Sequence, residues 1–450
     1  MTLPPRPVPG PATAWRFPAP RRTTLRSGLR VLRFDLPGQR LASAVLYLGI
    51  PPEAEPADAE GVATIAARTL DEGTTERDGA AFAAEMDLLG AGYSASVNTS
   101  GIYLNLDAPA RFFGPALGLL AEAVTRPTFA AHEVNRYVQM RLGELAQERA
   151  TASDLADVER RTACFAPQSR YARPVGGTPE TVRGLDRDAV ERFYRDHSAP
   201  ERATLVVAGD FRGTDLETAL EGAFGDWSGH AATSTADDGA DPAVASPGVV
   251  IADRPGAVQS HLSFGLAAPD RRTPGWADLV VAARVLGGGV NSRLSATLRE
   301  DKGYTYGIYA GLTPLRRGAL FTIDAAVQTD ATAAAVAEVL AVTEKLRADG
   351  PTEAECTEAV DYLTGVHPLR HQTARGIASS AATQRGFGLG DSYLDDFQEA
   401  LRSVTPASAA AAFRTHVDAA RLCLAVAGDA CAVAADLSEV VPHEVRVVPA

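Results

Sequence analysis

The chain has 450 residues, more than one hydrophobic core usually serves, so two or more domains are expected. Its hydrophobic fraction of 46% and charged fraction of 22% are those of a globular protein and exclude the disordered and fibrous classes. Acidic residues outnumber basic ones by 56 to 43, and no run of lysine and arginine in the sequence forms a basic patch. This charge balance argues against a nucleic-acid or anionic-membrane partner.

The four cysteines lack Cys-x-x-Cys spacing, which indicates neither a disulfide framework nor a thiolate zinc site. Residues 1–24 are rich in proline and predict an extended N-terminal arm without an apolar stretch of signal-peptide length. Nowhere does the sequence contain 18 consecutive apolar residues. We therefore expect a cytoplasmic protein with no membrane partner.

Residues 25–228 predict a first domain in which strands come early and helices dominate later. The runs "LRVLRFDLP" (29–37) and "SAVLYLGI" (43–50) are typical of consecutive strands. A helix follows, and the alternating run "YSASVNTSGIYLNLDA" (93–108) predicts β structure with a glycine near its middle. Helical spacing of apolar residues then continues as far as a short closing strand, "TLVVAGD".

Small, polar and acidic residues give 229–247 the composition of a linker, and 248–450 predicts a second domain that resembles the first. "YRDHSAPERATLVVAGD" matches "FRTHVDAARLCLAVAGD" at an offset of 219 residues, and "AARTLDEG" matches "AARVLGGG" at an offset of 216. Two nearly equal offsets predict a duplicated domain, with chance similarity between alanine-rich segments as the alternative. The predicted class is α+β, each half being a mostly antiparallel sheet with helices layered on one face.

The segment "GVATIAAR" (61–68) has the outline of a metal-binding helix but contains no histidine. Together with the following Gly73 and Thr74, it resembles the inverted zinc motif of the pitrilysin or insulinase-like (M16) metallopeptidases. Members of that family typically have Gly-x-Ala-His-x-x-Glu-His followed by Gly-Thr. The resemblance is to the short bacterial (M16B) type related to the mitochondrial processing peptidase. It covers essentially the whole chain and implies two homologous LuxS/MPP-like halves.

Thr64, Ala67 and Arg68 occupy the positions where this family has histidine, glutamate and histidine. Alanine cannot transfer a proton, arginine cannot ligate zinc and threonine is a poor ligand, so we expect no metal in this chain. Glu144, 76 residues after Arg68, matches the place of the family's third ligand. We hypothesise that Arg68 pairs with Glu144, a fixed cation replacing the charge of the metal. The alternative is that Glu144 is a solvated helix residue.

The segment "LGGGVNSRLSATLREDKGYTYGIYAG" (286–311) resembles the family's other active-site element. The resemblance makes Arg299 and Tyr306 the catalytic pair that contacts the substrate and the oxyanion formed on its carbonyl. Tyr304 is a competing phenol, and both tyrosines and the arginine have a packing or surface role as the alternative. Further substrate-binding candidates in this segment are Gly287, Gly288, Gly289, Asn291 and Arg293.

These features imply the noncatalytic, substrate-binding subunit of a heterodimeric zinc metallopeptidase that cleaves peptides in an enclosed chamber. Its expected partner is a homologous M16 subunit that carries the intact His-x-x-Glu-His motif and the zinc ion. Arg299 and Tyr306 of this chain would reach the partner's zinc site, and the chain alone would be inactive. A nonenzymatic M16-like scaffold or peptide-binding protein is the alternative.

Overall fold

A computed structural model describes residues 15–229 and 243–449 and contains one six-stranded sheet in each half of the chain. The strands of the first half are β1 (Arg21–Thr24), β2 (Arg30–Asp35), β3 (Leu41–Leu48), β4 (Gly92–Asn98), β5 (Gly101–Pro109) and β6 (Ala203–Gly209). The strands of the second half are β7 (Val249–Asp253), β8 (Gln259–Ala268), β9 (Ile308–Pro314), β10 (Ala319–Gln328), β11 (Cys423–Gly428) and β12 (Val445–Pro449).

Helices occupy most of the chain between the strands. Those of the first half are α1 (Val62–Thr69), α2 (Gly79–Leu88), α3 (Phe113–Thr125), α4 (Ala131–Ala150), α5 (Ala152–Cys164), α6 (Pro179–Arg183), α7 (Arg187–His197) and α8 (Leu216–Phe224). Those of the second half are α9 (Trp276–Gly287), α10 (Thr332–Asp349), α11 (Glu353–Gly365), α12 (His367–Arg370), α13 (Ala374–Gly386), α14 (Tyr393–Arg402), α15 (Pro406–His416) and α16 (Ala430–Val440). A π-helical segment, Ser295–Asp301, lies between α9 and β9.

The strand order confirms the α+β class and the duplication. The first sheet has the order β1-β2-β6-β3-β5-β4 and the second has β12-β7-β11-β8-β10-β9, so five strands of each sheet occupy equivalent positions. Most neighbouring strands are antiparallel, whereas β2 with β6 and β7 with β11 are parallel. The outermost strand next to β2 or β7 differs: β1 is antiparallel to β2, but β12 is parallel to β7.

The predicted β-type run at 93–108 and its equivalent in the second half, 308–328, each fold into a hairpin. The run at 93–108 becomes β4 and β5, whose register begins with Asn98 opposite Gly101. The corresponding run in the second half becomes β9 and β10, in which Pro314 lies opposite Ala319. The strand at the end of each hairpin, β4 or β9, forms one edge of its sheet.

A helix from the opposite half covers the second face of each sheet. Leu205 and Val207 of β6 point into the core of the first half, whereas Val206 and Ala208 point to the other face. That other face packs against α13 of the second half. In the same way α5 of the first half packs on β8 and β11 of the second sheet. The predicted layering on one face therefore holds for the helices of the same half, whereas a helix of the other half covers the second face of each sheet.

The predicted arm and linker extend beyond the described residues, since 1–14 and 230–242 lie outside them. The described end of the arm adds β1 to the first sheet, and the ring of Trp15 stacks on His371 at 5.4 Å. Within residues 15–229 and 243–449, none of the helices combines the length and apolar character needed to span a bilayer.

Candidate functional site

Buried ionic contacts fix the start of α1, the helix that resembles the zinc-motif helix. The Glu55 Oε1 atom accepts hydrogen bonds from the backbone N–H groups of Gly61 and Ala63, at 3.1 and 3.0 Å. Its other oxygen accepts from Arg170 Nη2 at 2.8 Å. Both charged side chains are buried. An anion at the first turn also complements the helix dipole, so this contact ties the start of α1 to the segment that carries Arg170.

The three altered motif positions lie on one face of α1, next to the edge strand β4. Thr64, Ala67 and Arg68 line a depression of about 270 Å³ together with Ser96 and Val97 of β4. Thr64 and Ala67 are buried, and the side chain of Arg68 is 33% exposed. The depression contains no residue of the second-half segment 286–311. The two predicted site regions therefore lie apart within this chain.

The predicted contact between Arg68 and Glu144 is present. One nitrogen, Arg68 Nη1, donates to both carboxylate oxygens of Glu144, at 2.7 and 2.9 Å. Arg141, one turn before Glu144 on α4, adds a third hydrogen bond at 3.0 Å. Partial burial disfavours the charged carboxylate, but the hydrogen bonds from Arg68 and Arg141 outweigh it and lower the pKa of Glu144. Glu144 is therefore an ionised partner of two guanidinium groups.

The residues present do not fit a zinc ion. Zinc needs deprotonated sulfur, imidazole nitrogen or carboxylate ligands, and the only such group at the motif, Glu144, is already bound to arginine. Throughout the described part of the chain, no three His, Cys, Asp or Glu side chains lie close enough together to hold a metal ion.

The glycine run of the second-half segment has a packing role at the end of α9. A Cβ atom at Gly287 would lie 2.5 Å from the Cβ of Ala310 and 2.6 Å from its backbone nitrogen, so only glycine allows α9 to approach β9 here. A Cβ at Gly288 would lie 2.7 Å from the Cα of Arg284. Gly288 and Gly289 also line a cavity of about 440 Å³, together with the predicted candidate Asn291.

Two other predicted substrate-binding residues, Arg293 and Tyr304, contact residues of this chain. Arg293 forms two hydrogen bonds with Glu355, at 2.7 and 2.8 Å, and donates to the carbonyl of Gly350 at 2.8 Å. The contacts with Arg293 lower the pKa of Glu355 to about 2. Tyr304 is partly buried and packs against the core of the second half. These contacts give Arg293 and Tyr304 a structural role.

Arg299 and Tyr306, by contrast, lie at the surface. Arg299 is in the π-helical segment, its side chain is 42% exposed, and its Nε lies 3.3 Å from Glu300. The segment ends with the backbone N–H of Lys302 donating to the carbonyl of Thr297 at 3.0 Å, and the chain then turns towards β9. Tyr306 is 97% exposed. Short π-helical insertions often occur at functional sites because they reorient the side chains that follow.

Sequence reasoning missed two groups of residues around these regions. Arg141 lies three residues before Glu144 and seven before Glu148, and it bonds to both; this spacing on one helical face is a signal that the sequence contains. Tyr309 and Tyr362 line the cavity of about 440 Å³, and the guanidinium of Arg284 lies 3.4 Å from the centre of the Tyr362 ring. Tyr309 is on β9 and Tyr362 is on α11, so only tertiary packing brings them to one cavity and no local signal in the sequence could reveal them.

Known protein families match both halves of the chain. The family model described as "Insulinase (Peptidase family M16)" matches residues 30–172, and the one described as "Peptidase M16 inactive domain" matches 184–363. A Mycobacterium tuberculosis protein named an uncharacterized zinc protease is 30% identical over 77% of this chain and 79% of its own length. A Helicobacter pylori protein named a non-peptidase homolog is 24% identical over 70% of this chain and 72% of its own.

Solved structures show the same fold. A crystal structure described as a peptidase M16 inactive domain from Pseudomonas fluorescens has a TM-score of 0.83 and 22% identity, covering 91% of this chain and 98% of that one. A structure described as a protease from Helicobacter pylori has a TM-score of 0.81 and 14% identity, covering 92% of this chain and 100% of that one. With its two equivalent halves and its altered zinc-motif helix, the chain belongs to peptidase family M16.

Proposed function

We propose that the chain is the noncatalytic, substrate-binding subunit of a heterodimeric zinc metallopeptidase. Its partner is a homologous M16 chain with an intact His-x-x-Glu-His motif, and that partner supplies the zinc ion. This chain supplies Arg299 and Tyr306 to the partner's site. The observation that carries the proposal is the 97% exposure of Tyr306, seven residues after the surface residue Arg299, because burial in the core does not explain this phenol.

The chemistry of the two side chains suits a peptide carbonyl. The hydroxyl of Tyr306 donates a hydrogen bond to the oxygen of the carbonyl under attack, where negative charge grows in the transition state. The guanidinium of Arg299 donates to a second carbonyl and holds the peptide in register. Tyr304 is the poorer candidate because its ring packs against the core.

The altered first-half site supports a role without catalysis. Arg68 and Arg141 both bind Glu144, so the place of the third zinc ligand is filled by charge pairing inside the chain. This cluster of two arginines and a glutamate does not bind a metal ion, but its ion pairs hold α1 next to α4 as metal ligands would. Such a chain depends on another subunit for the attacking water.

A peptide substrate is supported by the edge strand next to this site. β4 is the last strand of the first sheet, and its residues alternate between exposed and half-buried. Ser96 and Val97 of β4 line the same depression as Arg68. An extended peptide can pair with an edge strand of this kind as an added strand. Because β4 lies apart from Arg299 and Tyr306, the edge that presents the cleaved peptide to them is the equivalent strand beside the partner's zinc ion.

The proposal is tested by reconstitution. The purified chain is mixed with a homologue from the same genome that contains His-x-x-Glu-His, and cleavage of a quenched-fluorescence peptide is measured with and without a chelator. We expect no cleavage by this chain alone and chelator-sensitive cleavage by the mixture. Tyr306→Phe should lower kcat by about 100-fold to 1,000-fold, the usual cost of removing one oxyanion donor.

Tyr393→Phe is the matched control, because Tyr393 lies outside the segment 286–311 and its ring stacks on Phe397. It should leave kcat within about twofold of the unmodified mixture, since its hydroxyl is not assigned to the oxyanion. Cleavage by this chain alone would overturn the proposal. An unchanged kcat for Tyr306→Phe in an active mixture would overturn the role of Tyr306.

A nonenzymatic scaffold or peptide-binding protein is the second candidate. It is favoured by the relative from Helicobacter pylori that is named a non-peptidase homolog. On this alternative, the chain and its partner form a stable complex on a sizing column, or the chain binds extended peptides by itself, and no mixture cleaves a peptide. The same reconstitution experiment therefore separates the two functions.

A further inference from the structure

A cavity of about 350 Å³ is lined by both halves of the chain, and six of its thirteen lining residues are arginines. Glu201 is the one acidic residue among the described residues that line it. The arginines come from five places along the chain, from β2 to the end of α13, and are Arg30, Arg202, Arg272, Arg316, Arg317 and Arg385. This concentration of positive charge stands out in a protein whose formal net charge is −13.

Among the described residues, three of these guanidinium groups have no anionic partner. Arg272 is paired with Asp270 at 2.8 Å, and Arg385 is paired with Asp391. For Arg30, Arg202 and Arg317, by contrast, no carboxylate within residues 15–229 and 243–449 lies at ion-pair distance. Unpaired like charges that share one cavity repel each other, and a bound anion would remove this repulsion.

The two halves are in close contact beside the cavity. A Cβ atom at Gly386, the last residue of α13, would collide with the hydroxyl groups of Ser100 and Tyr103 in the first half. The backbone N–H of Gly49 donates to the carbonyl of Arg202 at 3.3 Å. These contacts hold the backbone at Arg202 and at the end of α13, and a preorganised wall of this kind favours the binding of one compact ligand.

We propose that this cavity binds a compact, multiply charged oxyanion of the phosphate type, with inorganic pyrophosphate as the simplest example. The planar fork of a guanidinium matches pairs of phosphate oxygens. A single carboxylate has two oxygens and could accept hydrogen bonds from only one or two of the guanidinium groups. Pyrophosphate has oxygens on all sides and can accept hydrogen bonds from several guanidinium groups that approach from different directions. The volume of about 350 Å³ accommodates a ligand of this size.

The site is independent of the proposed peptidase role. None of the residues that line it belongs to the altered zinc motif or to the segment 286–311. Because Arg30 and Arg202 belong to the first half and Arg317 to the second, a bound anion bridges the two halves. We therefore expect pyrophosphate to raise the melting temperature of the intact chain.

The test is calorimetric titration of the full chain with inorganic pyrophosphate at constant ionic strength. The variant Arg202→Gln/Arg317→Gln removes one unpaired guanidinium from each half. Each charged hydrogen-bonding group is worth about 1.5 to 3 kcal/mol, so the Kd should rise at least about tenfold for each substitution. The matched control is Arg192→Gln/Arg414→Gln, which removes the same charge from exposed arginines outside the cavity and should leave the Kd nearly unchanged.

A second measurement guards against misfolding. Without pyrophosphate, the Arg202→Gln/Arg317→Gln variant should melt at or slightly above the temperature of the unmodified chain, because it loses repulsion and no ion pair. With pyrophosphate, the unmodified chain and the control variant should gain melting temperature and the cavity variant should not. The proposal is wrong if the unmodified chain does not bind pyrophosphate, or if the cavity variant binds it as tightly as the control.

Discussion

Two histidines should be enough to turn the altered motif into a zinc site. Thr64 and Arg68 are one turn apart on α1 and line the same depression, and Arg68 already contacts Glu144. The double substitution Thr64→His/Arg68→His therefore places two imidazoles and one carboxylate around a common point, the ligand number of a catalytic zinc site. We expect this variant to bind one zinc ion per chain, as measured by metal analysis after desalting.

The change in stability follows from the contacts. The lost ion pair joins side chains that are 33% and 37% exposed, so the metal-free variant should lose only about 0.2 to 1 kcal/mol of unfolding free energy. Free zinc at about a hundred times its Kd should then add about 2.7 kcal/mol. Urea unfolding should show the zinc-loaded variant to be about 2 kcal/mol more stable than the unmodified chain, and a chelator should reverse this gain.

A third substitution tests whether zinc binding depends on the position of the Glu144 carboxylate. The variant Thr64→His/Arg68→His/Glu144→Gln keeps both imidazoles and loses the anionic ligand, so it should bind zinc much more weakly. Equal zinc binding with and without the Glu144 carboxylate would show that the metal sits elsewhere. Failure of the double variant to retain zinc would show that the depression no longer has the shape of a metal site.

Three further predictions concern stability and reactivity. Burial raises the pKa of Asp71 to about 6, so its contribution to stability is complete below about pH 4 and is lost as the pH rises through about 6. Asp71→Asn should therefore raise the unfolding free energy at pH 7 by about 1 to 3 kcal/mol in urea titrations and flatten its dependence on pH. A Cβ at Gly287 would meet Ala310 at 2.5 Å, so Gly287→Ala should lower the urea unfolding free energy by about 1 to 3 kcal/mol, whereas Gly311→Ala, which has open space, should not. Cys431 is exposed and the other three cysteines are buried, so a maleimide should label one thiol quickly and the rest only on unfolding.

Each of these predictions has a clear contradicting result. An Asp71→Asn variant with the same pH profile as the unmodified chain would contradict the raised pKa. Equal losses for the Gly287 and Gly311 variants would show that the close approach of α9 to β9 is not decisive. Fast labelling of a second thiol would contradict the burial of the other cysteines.

The sequence predicted the parts of the fold that depend on local patterns. The duplication was visible because equivalent strands and helix ends keep similar residues, as in 194–210 and 413–429. The contact between Arg68 and Glu144 could be predicted because the family resemblance aligned two positions 76 residues apart. This prediction needed only the positions of Arg68 and Glu144, and it did not depend on how the residues between them fold.

Features built from distant segments could not be predicted in this way. Val206 and Ala208 are apolar like their neighbours, which shows that both faces of β6 are buried, but not that α13 of the other half covers one of them. The partner of Arg293, Glu355, lies 62 residues away on another helix, and no spacing rule connects them. The arginine-lined cavity is likewise assembled by tertiary packing.

The packing of α13 on the sheet of the other half also has a consequence for synthesis on the ribosome. The first sheet is complete in sequence at residue 209, but the helix that covers its second face begins at residue 374. A newly synthesised first half therefore leaves the ribosome with Val45, Val206 and Ala208 on an uncovered face and must remain soluble until the later helix has been translated. Chaperones that shield nascent chains should matter more for this architecture than for two domains that mature one after the other.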